Sequence, residues 1–117
     1  MASNGSPAND IFRAKGLTID FDKRQITVDG RDIHLTQIEF KIVSLLAKSA
    51  GRVLTYDFII TELWGPYAVK DNQILRVNMA NIRKKFGVKP GEARYITNEL
   101  GVGYRMNRED TDEKNEA

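Results

Sequence analysis

The hydrophobic period of this chain changes from two to helical at Thr36-Gln37-Ile38-Glu39, and that change limits the fold more than any other feature. Before it, apolar residues alternate by twos. Leu17, Ile19 and Phe21 share one face of a strand while Thr18, Asp20 and Asp22 share the other. Ile26 and Val28 continue the alternation, Asp29-Gly30 supplies a hairpin turn, and Ile33 and Leu35 resume it, so residues 16–36 are expected to hold three or more short antiparallel strands. At Thr36 the spacing becomes helical. The Thr36 hydroxyl is placed to accept the Glu39 N–H while the Glu39 carboxylate reaches back, which is a capping box. Ile42, Val43, Leu45, Leu46, Ala47 and Ala50 then form an apolar stripe, and Gly51 ends the helix.

Two more helices follow. Arg52-Val53-Leu54 reads as a short extended link, and Thr55 caps a helix whose Ile59, Ile60, Leu63 and Trp64 form one face before Gly65-Pro66 stops it. A loop, Gly65 to Asp71, precedes a third helix over residues 71–86, capped by Asp71 or Asn72. Its Leu75, Met79, Ile82 and Phe86 make a narrow core seam, and Gly87 and Pro90-Gly91 end it. Residues 94–97 and 104–106 read as two strands around a Gly101-Val102-Gly103 turn. Strands, three helices and a final hairpin define an α+β domain.

At 117 residues the chain is long enough for one domain with its own core, here expected over residues 16–106. The small, polar residues 1–15 read as a flexible leader, and the charged, aperiodic residues 107–117 as a disordered acidic tail. Cysteine is absent, which excludes disulfides, thiolate nucleophiles and Cys-ligated zinc. No apolar run approaches the ~20 residues that span a bilayer, so a cytoplasmic domain with no membrane contact is expected. Enzyme chemistry has little to stand on. There is no Gly-x-Ser-x-Gly elbow, no phosphate-binding lysine loop and no metal-spaced His or Asp cluster; the lone His34 lies on the outward face of a strand, and Gly101-x-Gly103 lacks the third glycine and following helix of a nucleotide loop. No catalytic residue, metal or cofactor is expected.

The net charge of +2 conceals an asymmetry. Residues 107–117 carry −3, so the rest carries +5, and residues 70–94 hold seven bases against Asp71 and Glu92. A basic body points to an anionic partner. The third helix, away from its core seam, presents Gln73, Arg76, Val77, Ala80, Asn81, Lys84 and Lys85, with no acidic residue after Asp71. Asn or Gln pairs bidentately with adenine, Val or Ala touches a thymine methyl, and Arg or Lys reaches guanine or phosphate. Such a face suits a DNA major groove, and a hairpin ending in Tyr104-Arg105 suits the sugar-phosphate backbone. A merely solvated basic face carries the same residues.

Thr36-Gln37-Ile38-Glu39-Phe40, Leu63-Trp64-Gly65, Ile82-Arg83-Lys84-Lys85-Phe86 and Gly101-Val102-Gly103-Tyr104-Arg105, in unbroken order, resemble the OmpR/PhoB-type winged helix-turn-helix domain, the effector half of two-component response regulators. The resemblance implies a four-stranded N-terminal sheet, three helices and a C-terminal hairpin wing. It further implies base reading by Gln73, Arg76, Val77 and Asn81. Backbone contacts would come from Trp64, Arg83, Lys84, Lys85, Tyr104 and Arg105, and the wing (Leu100, Gly101, Val102 and Gly103, within residues 95–106) would enter the flanking minor groove. The loop Pro66, Tyr67, Ala68, Val69 and Lys70 matches the segment that touches RNA polymerase in several members. Implied partners are promoter direct repeats of double-stranded DNA, RNA polymerase, and a receiver domain and sensor kinase in the full-length phosphorelay protein. A homodimer on DNA is implied too, with a monomeric isolated domain left open.

Competing structural roles exist: Trp64 and Tyr104 as packing residues, and Arg83 paired with Glu39 or another carboxylate. Two positions depart from the family pattern. Ala80-Asn81 stands where many members have paired arginines, which favours adenine readout by Asn81, and Glu99-Leu100 stands where the wing often carries an arginine. The stretch Trp64 to Val69 with Leu75-Arg76-Val77 is similar to the potassium-responsive KdpE branch. A protein-interaction module using the same surface or the 36–50 helix, and a membrane-anchored activator of the same fold, are the alternative readings.

Overall fold

Four short antiparallel strands, β1 (Ile11–Ala14), β2 (Leu17–Asp20), β3 (Gln25–Val28) and β4 (Arg31–Ile33), pair in sequence order into one sheet. The computed structural model describes residues 10–108. Leu17, Ile19, Ile26 and Val28 all bury on one face, as alternation requires, and Asp29 and Gly30 take the two positive φ angles of a tight hairpin turn. The leader expected over residues 1–15 is corrected at its end. Ile11–Ala14 form strand β1, with Phe12 opposite Ile19. Its adjacent Ile11 and Phe12 break the period-two signal, and only pairing with β2 settles their conformation. Residues 1–9 and 109–117 of the leader and tail lie outside the described residues. Asn107 is held, donating its N–H to the Tyr95 carbonyl (2.8 Å) and its side-chain amide to Ala93.

Helix α1 (Gln37–Lys48) starts with both arms of the capping box formed: Thr36 Oγ1 accepts the Glu39 N–H (3.1 Å) and Glu39 Oε1 accepts the Thr36 N–H (2.9 Å). Helix α2 (Tyr56–Trp64) is capped by Thr55, and α3 (Asn72–Phe86) by Asp71, with Gly87 in the left-handed conformation at its end. The buried seam of α3 is Leu75, Met79, Ile82 and Phe86, which packs with Ile42, Val43 and Leu46 of α1 and Ile59 and Ile60 of α2 into one core.

The C-terminal hairpin, β6 (Ile96–Glu99) and β7 (Gly103–Met106), gains a third strand. The link Arg52-Val53-Leu54 contributes β5 (Val53–Thr55), antiparallel to β7, so β7 is central. Gly103 permits this. A Cβ there would lie 1.8 Å from the Leu54 carbonyl oxygen, so only glycine lets the two backbones meet. The hairpin is thereby anchored to the start of α2.

Candidate nucleic-acid interface

With Leu75, Met79, Ile82 and Phe86 facing inward, the helical repeat turns Gln73, Val77, Ala80, Asn81 and Lys84 outward, and all five are exposed. Asp71, the acid nearest this face, spends its carboxylate on the Gln73 N–H (2.9 Å) at the helix start. Arg76 is also exposed, on the flank toward β7, where its charge opposes the upward shift of the Tyr104 hydroxyl. The four residues expected to read bases therefore share one solvent-facing side of one helix. Ile74, 50% exposed beside them, was not among the expected site residues, although the Leu75, Met79, Ile82 and Phe86 seam leaves it on the outer side. Its backbone carbonyl accepts from the Asn78 side chain.

The residues expected on the DNA backbone divide. Lys84 is exposed in line with Gln73 and Val77. Lys85 turns the other way and places Nζ 2.6 Å from Oε1 of Glu39, a carboxylate only 2% exposed. Burial pushes the Glu39 carboxyl up, but the Lys85 hydrogen bond and charge and the Thr36 donors outweigh it and hold it below its ordinary value. Arg83 is half-buried. It donates from Nη2 to the Ile96 carbonyl (2.9 Å), and its guanidinium lies 6.0 Å from the Tyr104 ring centre, so it fastens α3 to the hairpin. The partner of Glu39 is thus Lys85, and Arg83 pairs with a backbone carbonyl.

Tyr104 is 2% exposed and packs edge-on against Tyr56 at 5.5 Å. Burial raises the pKa of its hydroxyl. Trp64, at the last position of α2, is half-buried against the core. Arg105 Nη1 pairs with Glu99 Oε2 at 2.7 Å. Of the expected wing residues, Leu100, Gly101 and Val102 form the exposed tip, whereas Gly103 is buried in β7 as the backbone contact described above. In the loop between α2 and α3, Tyr67 (97% exposed) and Val69 stand out into solvent with Pro66 and Lys70, while Ala68 tucks against the core.

Spacing alone gave no sign of the residues that hold the wing. The Tyr56 hydroxyl donates to Asn98 Oδ1 (2.8 Å), and the Tyr56 N–H donates to the Val102 carbonyl (3.1 Å). Among the described residues no three His, Asp or Glu side chains gather to hold a metal ion, and no helix is long and apolar enough to cross a membrane.

A family model described as the C-terminal part of transcriptional regulatory proteins matches residues 30–106. The KDP operon transcriptional regulatory protein KdpE of Escherichia coli is 37% identical over 96 residues, covering 82% of this chain and 43% of that protein. The chain thus spans less than half the length of that relative. Among solved structures, the DNA-binding domain of Klebsiella pneumoniae RstA in complex with the RstA box superposes with a TM-score of 0.76 at 25% identity, covering 83% of this chain and 96% of that one. The response regulator DrrB of Thermotoga maritima, an OmpR/PhoB homologue, gives 0.75 at 28% identity, over 84% of this chain and 44% of that one.

Proposed function

This chain belongs to the family of transcriptional regulatory protein C-terminal domains of OmpR/PhoB type, and from that premise we propose how its surface meets DNA. It is a DNA-binding winged-helix domain for transcription regulation, not an enzyme. In our reading, α3 lies in the major groove with Gln73, Arg76, Val77 and Asn81 toward the bases, Lys84 on a phosphate, and the β6–β7 wing on the adjacent minor groove. One observation carries this: a helix anchored by a four-residue apolar seam turns a row of amides, small apolar groups and a lysine outward, with no free carboxylate among them. Phosphate contacts set register, and base contacts set sequence. Arg83, Lys85 and Tyr104 hold α3 and the wing in position rather than carrying the affinity.

The same proposal makes the α2–α3 loop the surface for RNA polymerase, and the exposure of Tyr67 and Val69 supports it. Receiver-domain phosphorylation by a sensor kinase, pairing of two copies on direct repeats, cytoplasmic placement and a KdpE-like, potassium-linked role belong to the same proposal. The last is supported by the identity to the Escherichia coli KdpE protein. The test is a fluorescence-anisotropy titration against random duplexes and then duplexes selected from a random pool, across a salt series. Selected DNA bound at least ~10³-fold tighter than random, with affinity falling steeply in salt, supports the reading. Equal weak binding to every duplex overturns it in favour of a protein-interaction module.

A further inference from the structure

The wing tip carries no cation. Residues 98–103 are Asn, Glu, Leu, Gly, Val and Gly, and the one charge among them, on Glu99, is neutralised by Arg105 at 2.7 Å. What the tip does carry is Leu100, 84% exposed, and Val102, 50% exposed. Leu100 occupies the second position of a tight turn closed by the Val102 N–H on the Glu99 carbonyl (2.9 Å), with Gly101 at φ 78° in the third position. That geometry sets the leucine at the apex, away from both strands.

The turn is held from behind. Tyr56 bonds Asn98 through its hydroxyl and Val102 through its N–H, and β7 runs as the central strand between β5 and β6. An apolar side chain fixed on a stiff, electrically neutral hairpin gains nothing from the negative potential of a groove. Its gain comes from leaving water, and between base pairs it finds an apolar surface.

We propose that Leu100 is an apolar wedge that enters the minor groove and partly unstacks one base step, bending the duplex toward the major groove. This rests on the wing placement proposed above. It adds a source of sequence preference that makes no base hydrogen bond: the step beneath the wing is a flexible pyrimidine–purine step, TA or CA/TG, because such steps unstack at least cost. Base reading by α3 and step selection by the wing are then independent contributions to one site.

The experiment uses the whole chain and a duplex it has selected from a random pool, with 2-aminopurine placed in turn along the flank of the α3 site. Saturating protein should raise fluorescence at one pyrimidine–purine step, and circular-permutation gels should show a bend centred there. Leu100→Ala should abolish both signals and weaken binding about tenfold, the effect of leaving one leucine in water. Leu100→Arg should also lose the fluorescence rise while steepening the salt dependence by about one phosphate contact. At 84% exposure neither change threatens the fold, which circular dichroism verifies.

If Leu100→Ala binds, bends and unstacks like the parent chain, the wedge is wrong. It is equally wrong if affinity falls with no fluorescence change at any flank position in the parent complex. A parent chain that enriches no sequence at all refutes instead the major-groove reading on which the wedge rests.

Discussion

Lys85 Nζ of α3 and Glu39 Oε1 of α1 lie 2.6 Å apart, and the same carboxylate oxygen accepts the Thr36 N–H that starts α1. One buried acid therefore fixes both the beginning of α1 and the last turn of the helix that faces DNA. Its folded pKa lies below the ordinary 4.5, so the unfolded chain binds more protons around that pH. The stability it contributes is fully present above the unfolded value and is lost as pH falls through the folded one. Urea melts of the parent from pH 6 to pH 3 should lose stability through that window, and Glu39→Gln should flatten this part of the profile. An unchanged slope in Glu39→Gln would refute the linkage.

Lys84 and Lys85 are neighbours in sequence with different work to do. Lys85→Ala leaves a buried carboxylate without its cation and should cost about 2 kcal/mol of stability, with little change in the salt dependence of DNA binding. Lys84→Ala, exposed on the outer row, should leave stability unchanged and lower the slope of log affinity against log salt by about one. Paired thermal melts and anisotropy titrations separate the two. A reversed pattern would mean that the facing of this helix turn is misassigned.

Asn81 is the exposed amide farthest along the outer face of α3. Asn81→Ala should lose about 1–3 kcal/mol on the selected duplex and relax preference at one base pair, while binding random DNA as before. An equal loss on every sequence would make Asn81 a backbone contact.

Among the described residues the buried Tyr95 hydroxyl has no hydrogen-bond partner, while its ring packs edge-on against Phe86 at 5.6 Å. Burial raises its pKa. An unpaired buried hydroxyl is a cost that phenylalanine removes without altering the ring contact. Tyr95→Phe should therefore match or exceed the parent stability, by up to about 1 kcal/mol, in a denaturant melt. A clear destabilisation would reveal a bound water or a partner.

How much of this was legible in the sequence depended on range. Thr36, Thr55, Asp29-Gly30 and the Leu75–Phe86 seam each act through neighbours within four residues, so spacing alone located the caps, the turn and the inward face of α3. Strand β1 fell inside the expected leader and β5 read only as an extended link, because four and three residues carry too little periodicity; β1 exists through pairing with β2 and β5 through pairing with distant β7. The same limit hid the inward turn of Lys85. A lysine beside Lys84 on a basic helix looks solvated until Glu39, far away in sequence and buried in α1, is seen opposite it. Composition likewise showed a basic surface without showing which cations were already spent on Glu39, Glu99 or the Ile96 carbonyl.

Gly103 joins fold and function most directly. Its missing Cβ lets β7 close to the Leu54 carbonyl, and β5 in turn runs into the Thr55 cap of α2. Gly103→Ala places a methyl inside that carbonyl, and backbone on both sides leaves no flexible atom to yield, so β5 and β7 must separate. Stability should fall by about 2–4 kcal/mol, the range of severe overpacking. The wing should suffer more than α3, because the seam of α3 does not pass through β5. In native-state hydrogen exchange, the amides of β6 and β7 should lose protection before those of Leu75 to Phe86. On DNA, the variant at low temperature should keep the base preference read by α3 while losing the contribution of the wing. Equal loss of protection in both regions would show that hairpin and helix unfold as one unit.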